Sequence, residues 1–153
     1  MKNILLKLSF ATFLAFSTTQ LQAQETLTPE QQKELSEFKK HEQTAITTLP
    51  KGYQLSKSYR LRLKKDSNTE DAEYKSILSK TSNYVVVLSG SFPPNEKINI
   101  RIMNEEGKIM AQNTDGKAVL KFTPAVAGIY KVVFNLSTDK EFLVASALGF
   151  AKK

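Results

Sequence analysis

The sequence contains no cysteine and no tryptophan, and its 153 residues include a single histidine. The missing cysteine excludes a disulfide framework, thiolate metal ligands, a thiol nucleophile and a lipid-bearing cysteine. One imidazole is too few for a metal site built on several histidines. That residue, His41, is also the one base open to a Ser-His-Asp relay. Its setting between Lys40 and Glu42 on a polar segment predicts a solvent-exposed ring. Without tryptophan, stacking on sugar rings falls to Tyr53, Tyr59, Tyr74, Tyr84 or Tyr130. Tyr84 and Tyr130 open apolar runs and read as packing residues. No cofactor is implied by any of these patterns.

Long apolar runs are scarce as well. One stands at the chain start, where Leu8–Phe16 is largely apolar, preceded by Ile4, Leu5 and Leu6 and flanked by Lys2 and Lys7. It is short of the roughly 20 residues a spanning helix needs. A polar stretch and Leu21-Gln22-Ala23 follow, with Ala23 as the small residue before a cut. The pattern predicts a cleavable signal peptide over 1–23 and export to the periplasm or beyond, with no membrane span after cleavage. Removing 23 of 153 residues leaves 130, enough for one domain. The net charge of +7 includes Lys2 and Lys7 and no acid from 1–23, so the remainder carries +5. That balance suits an envelope protein or an anionic glycan as partner. Nucleic acid is not expected, because no stacking platform is interleaved with the cations.

Residues 24–52 read as a helical lead segment. Thr28-Pro29-Glu30-Gln31 has the spacing of a capping box, with Thr28 as N-cap and Gln31 three residues on. The apolar stripe that follows is thin: Leu35, Phe38, Ala45 and Ile46. From Tyr53 the period changes to two, with Tyr53, Leu55, Tyr59, Leu61 and Leu63 alternating with polar residues. Tyr84–Leu88 is apolar on both faces and reads as a central strand. Further runs around Tyr74, Ile98–Ile102, Ile109, Ala118–Phe122, Ile129–Leu136 and Phe142–Phe150 are separated by turns. Gly107 and Gly116 sit where such turns need positive φ. "AVAGIY" reads as a glycine-relaxed corner ahead of a core strand. The fold class expected is all-β: an antiparallel β-sandwich of about eight strands over 53–153, preceded by one α-helix.

"INIRIMNEEGKIMAQN" followed by "AVLKFTPAVAGIYKVVF" resembles bacterial pre-peptidase C-terminal-type β-sandwich modules. The likeness covers about 82–150. It implies a non-catalytic accessory that bears on substrate contact, secretion or stability. "PPNEKINI" and "GIYKVVF" also resemble the C-terminal sorting domains of the gliding-associated secretion pathway, which implies an address for export or surface attachment.

Candidate chemistry is sparse. Asp66, Asn68 and Glu70 alternate as oxygen donors in a calcium loop do, but Asp71 and Ile77 replace the glycine and the bidentate glutamate of an EF-hand. A solvated acidic loop is the competing reading. Ser36-x-x-Lys39 and Ser137-x-x-Lys140 lack the companion motifs that give such a spacing meaning. Arg60, Arg62 and Lys64 share one face of a strand and could grip an anionic partner. They could equally serve as charges that protect a sheet edge.

The leading expectation is therefore an exported, non-catalytic binding or accessory protein. A sorting or attachment domain and a carboxylate-only hydrolase are the alternatives. Export has a direct check. N-terminal sequencing of the envelope-fraction protein should read Gln-Glu-Thr-Leu from Gln24, and an intact Met1 in a soluble cytoplasmic pool would contradict it.

Overall fold

The computed structural model describes residues 26–64, 72–137 and 139–153. The chain divides into two compact units, 1–33 and 34–153. Of the first unit, residues 26–33 are described. They carry the expected cap: Gln31 N donates to Thr28 Oγ1 at 3.2 Å and Thr28 N donates to Gln31 Oε1 at 2.9 Å. Helix α1 spans Pro29–Thr47. The 1–23 segment and its cleavage point lie outside the described residues.

In the second unit the remainder of α1 is followed, among the described residues, by eight strands. These are β1 (Gln54–Leu63), β2 (Glu73–Leu78), β3 (Ser82–Gly90), β4 (Ile98–Asn104), β5 (Ile109–Gln112), β6 (Val119–Phe122), β7 (Gly128–Leu136) and β8 (Phe142–Lys152). They form two antiparallel sheets, ordered β1-β8-β3-β6 (sheet A) and β2-β7-β4-β5 (sheet B). The expected all-β sandwich with one preceding helix is the observed fold.

Alternation along each strand builds the core. Leu61, Leu63, Tyr84, Val86, Leu88, Val144 and Leu148 face inward from sheet A. Tyr74, Leu78, Ile98, Ile100, Ile102, Tyr130, Val132 and Phe134 meet them from sheet B. Tyr59 stacks on Tyr74 with ring centroids 3.6 Å apart, and Tyr74 Oη lies 3.2 Å from Ser146 Oγ. Burial pushes the Tyr74 phenol well above its ordinary value. Of the five tyrosines, Tyr74, Tyr84 and Tyr130 are buried and Tyr53 and Tyr59 are half-buried.

Two local departures from simple alternation have clear causes. A bulge between Leu55 and Lys57 flips the phase of β1. Tyr59, Leu61 and Leu63 therefore pack on the core, while Tyr53 packs with Leu49 on the opposite face of sheet A and Leu55 stays exposed. Gly128 has no positive φ, unlike Gly107 (79°) and Gly116 (68°). The corner before β7 is held instead by Tyr130, whose hydroxyl donates to the Val126 carbonyl at 2.7 Å. Tying a tyrosine hydroxyl to backbone a few residues upstream is a recurrent way to fix sandwich corners.

The outer face of sheet A is apolar too. Val85, Val87 and Ala147 point away from the sandwich core and are covered by Ala45 of α1, with Ile46, Leu49, Tyr53 and Val119 around them. β8 runs through this contact with small residues. A Cβ on Gly149 would stand 2.8 Å from Leu49 Cδ2 and 2.9 Å from Val85 Cγ1. Among the described residues no helix is long and apolar enough to cross a membrane.

Phe134 is fully buried, with the Tyr74 ring 5.9 Å away. Phe134→Ala should cost about 3–5 kcal/mol. Chemical denaturation measures this, and an unchanged midpoint would refute the assigned strand phase.

Candidate functional site

The sequence singles out a basic stripe, a lone histidine and an acidic loop. The stripe turns inward on the protein itself. Arg60 Nη2 donates to Glu42 Oε2 at 2.9 Å. Arg62 donates to Glu34 and, at 3.4 Å, to Glu141 Oε1. Ser58, on the same strand face, donates to Glu42. Lys64 is exposed just beyond β1. Arg60 and Arg62 thus dock the acids of α1, and an anionic partner would have to compete with Glu34, Glu42 and Glu141. Exposed pairs of this kind contribute about 0–1 kcal/mol each, so the apolar contact around Ala45 supplies most of the docking.

His41 is not the exposed ring that its sequence neighbours imply; it is 5% exposed. Position 41 lies three residues after Phe38 and four before Ala45, so it falls on the docked stripe of α1. Its Nε2 lies 3.4 Å from Ser91 Oγ and 3.7 Å from Glu37 Oε1. Both neighbours approach the same ring nitrogen. A nucleophile relay needs serine on one nitrogen and carboxylate on the other, and the trio lacks that geometry.

Asp66, Asn68 and Glu70 lie outside the described residues. Among the described residues no three histidine, aspartate or glutamate side chains converge as a metal site requires.

A different surface emerges on sheet B. The helix covers sheet A, and on the outer face of sheet B apolar side chains stand in solvent. Ile77 on β2 is 79% exposed and faces Ile129 on β7, itself 39% exposed. Met103 on β4 pairs with Ile109 on β5 and, on its other side, with Lys131. Lys75 lies opposite Lys131, which is paired to Glu73 at 3.1 Å.

Two shallow depressions adjoin this patch. One, of about 220 Å³, lies among Lys75, Lys131, Met103, Glu105 and Ile129. The other, of about 300 Å³, lies among Glu105, Glu106, Met110, Val126 and Ile129. Asn104, Glu105 and Ile129 border both. The β4–β5 turn walls both and the β6–β7 loop walls the second, and each of these connections is tied down. Asn104 Oδ1 accepts from Lys108 N at 2.8 Å, and Gly107 N donates to the Asn104 carbonyl at 3.0 Å. The loop wall hangs on the bond from Tyr130 to Val126.

Reading the turns as punctuation misses this surface. Its sequence signal is apolar residues out of phase with the core set: Ile77, Ile109, Met110, Val126 and Ile129. Chemically the surface offers apolar walls, two lysines and two carboxylates, which is a set for binding.

No family model matches the sequence, and no curated protein matches it. Among solved structures, the chain is similar to the crystal structure of Aeromonas hydrophila PliG, a periplasmic lysozyme inhibitor of g-type lysozyme. The identity is 12% and the TM-score 0.48, over 67% of this chain and 91% of that one. A likeness at that level transfers neither a partner nor binding residues.

The docking of α1 should respond to acid. Hydrogen bonding from Ser58, then from Arg60, holds the Glu42 carboxyl below its ordinary value of 4.5. A depressed carboxylate contributes stability above its unfolded value and loses it as pH falls through the folded value. Limited proteolysis should therefore cut α1 faster as pH falls below about 4.5. Glu42→Gln should flatten that dependence, and an identical profile in both proteins would rule the pairing out as its source.

Proposed function

We propose that this chain is an exported, non-catalytic binding or accessory protein whose partner docks on the outer face of sheet B around Ile129. One observation carries the reading: five exposed apolar side chains gather beside two adjoining depressions that share Glu105 and Ile129. Apolar side chains gathered on an otherwise polar surface mark interaction sites. Export rests on Lys2, Lys7 and the apolar stretch that follows. The resemblance to pre-peptidase C-terminal modules fits an accessory role, and the net charge favours an acidic partner.

The sorting alternative places its address in the last strand. β8, however, is a central strand of sheet A, paired with both β1 and β3. Deleting it would remove the fold along with any address. The hydrolase alternative gains one observation, because Glu105 and Glu106 both border the second depression. Both are exposed, whereas a glycosidase acid relies on an apolar enclosure to stay protonated.

Affinity capture from the envelope fraction tests the reading. A double variant, Val126→Glu with Ile129→Lys, should lose the captured partner while keeping the parent's thermal melting. Capture of the same partner by both proteins would sink the proposal. Glycan turnover by the parent that is lost in Glu105→Gln would favour the hydrolase instead.

A further inference from the structure

The two sheets have four edges, and three carry features that discourage pairing with another chain. β1 is bulged at Leu55/Lys57. β5 is four residues long and its register with β4 shifts at Ile102/Met103. β6 is four residues long with Pro124 just beyond it. Bulges, short length, proline and edge charges are the usual protections of an open edge. β2 has no bulge and no proline, and its protection is confined to charge, with Glu73 tied to Lys131 and Lys75 left at the rim. Among the described residues it pairs with β7 alone, in unbroken register from Glu73↔Val133 to Leu78↔Gly128. Its outer face presents Lys75 and, two residues on, Ile77 at 79% exposure. Lys75 makes no ion pair among the described residues, while Glu73 is engaged by Lys131.

We propose that β2 is a strand-addition site: an extended segment of a partner protein extends sheet B at this edge, alternating an apolar residue over Ile77 with an acidic residue over Lys75. This rests on the binding reading of sheet B and gives the partner its form. A polypeptide is the occupant because an open edge offers backbone N–H and C=O groups at the strand repeat, which main chain satisfies. The acidic residue follows from charge. Lys131 is held by Glu73, and the nearby Glu105 borders the same depression, whereas Lys75 at the rim has no ion pair among the described residues and is the cation left for an incoming carboxylate. The apolar residue follows from Ile77, which continues the Ile129 patch to the rim of the sheet.

The probe is a capped nine-residue peptide in which threonine alternates with isoleucine and glutamate, with a counterpart carrying lysine for glutamate. Amide exchange of the exported protein, read by nuclear magnetic resonance, should slow across Tyr74–Leu78 when the glutamate peptide is added. Ile77→Lys should weaken binding at least ~10-fold, a factor equal to about 1.4 kcal/mol, without changing the melting curve. Lys75→Glu should transfer the preference to the lysine peptide.

Several results would overturn strand addition. One is no binding by the parent, and another is binding that neither variant alters. Peptide protection confined to the Val126 loop would overturn it while leaving the broader binding reading intact. Protection of β2 that grows with protein concentration in the absence of peptide would assign the edge to a second copy of the chain instead. Loss of partner capture by neither the β2 variants nor the Val126/Ile129 variant would mark failure of the broader reading.

Discussion

Sheet A has to be buried on both faces. Val85, Val87 and Ala147 turn away from the sandwich core, and leaving them in water would forfeit about 25 cal/mol per Å² of apolar area. The cover is α1, and its fit depends on how near it can come. β8 meets this need with Ala145, Ala147 and Gly149, a row without bulk. The helix is then aligned by its acids: Glu34 and Glu42 reach Arg62 and Arg60 at the side of the apolar contact. A helix with only a thin apolar stripe stays docked because the sheet presents both a small-residue track and matching charge.

That requirement also decides which surface is left free. With the outer face of sheet A occupied, Arg60 and Arg62 of β1 engaged and the core closed, sheet B presents the remaining open face. Ile77 and Ile129 are exposed although they stand on regularly paired strands, so the core alternation does not account for them. The apolar side chains of this face cluster where two tethered connections rise above the sheet, and the carboxylates of the β4–β5 turn stand beside them. Apolar area flanked by charge of both signs gives a partner both something to bury and something to align on.

Much of the fold is legible in the sequence because strand periodicity and turn chemistry are local. The eight apolar runs become eight strands, and Gly107 and Gly116 take the positive φ that their turns require. The capping box at Thr28 forms as spelled. What escapes is set by long-range contact. Arg60 and Arg62 read as cations awaiting an anion, and only the packing of α1 reveals that Glu42 and Glu34 are those anions. His41 reads as polar and exposed until Phe38 and Ala45 define a buried stripe through it. The bulge in β1 puts Tyr53 and Tyr59 on opposite faces, which alternation alone cannot anticipate. The surface on sheet B is written in the sequence only as apolar residues at odd phase, and odd phase alone does not tell a binding face from an unremarkable exposed one.

The register of sheet A carries a kinetic consequence. Gln54 pairs with Phe150, so the first strand finds its neighbour only when the last one is present. Closing so long a loop costs entropy before any contact is gained, and folds dominated by distant pairings form slowly. In a nascent chain of this design sheet A cannot be completed until nearly all of it has been synthesised, because β1 waits for β8 and α1 waits for the sheet it covers.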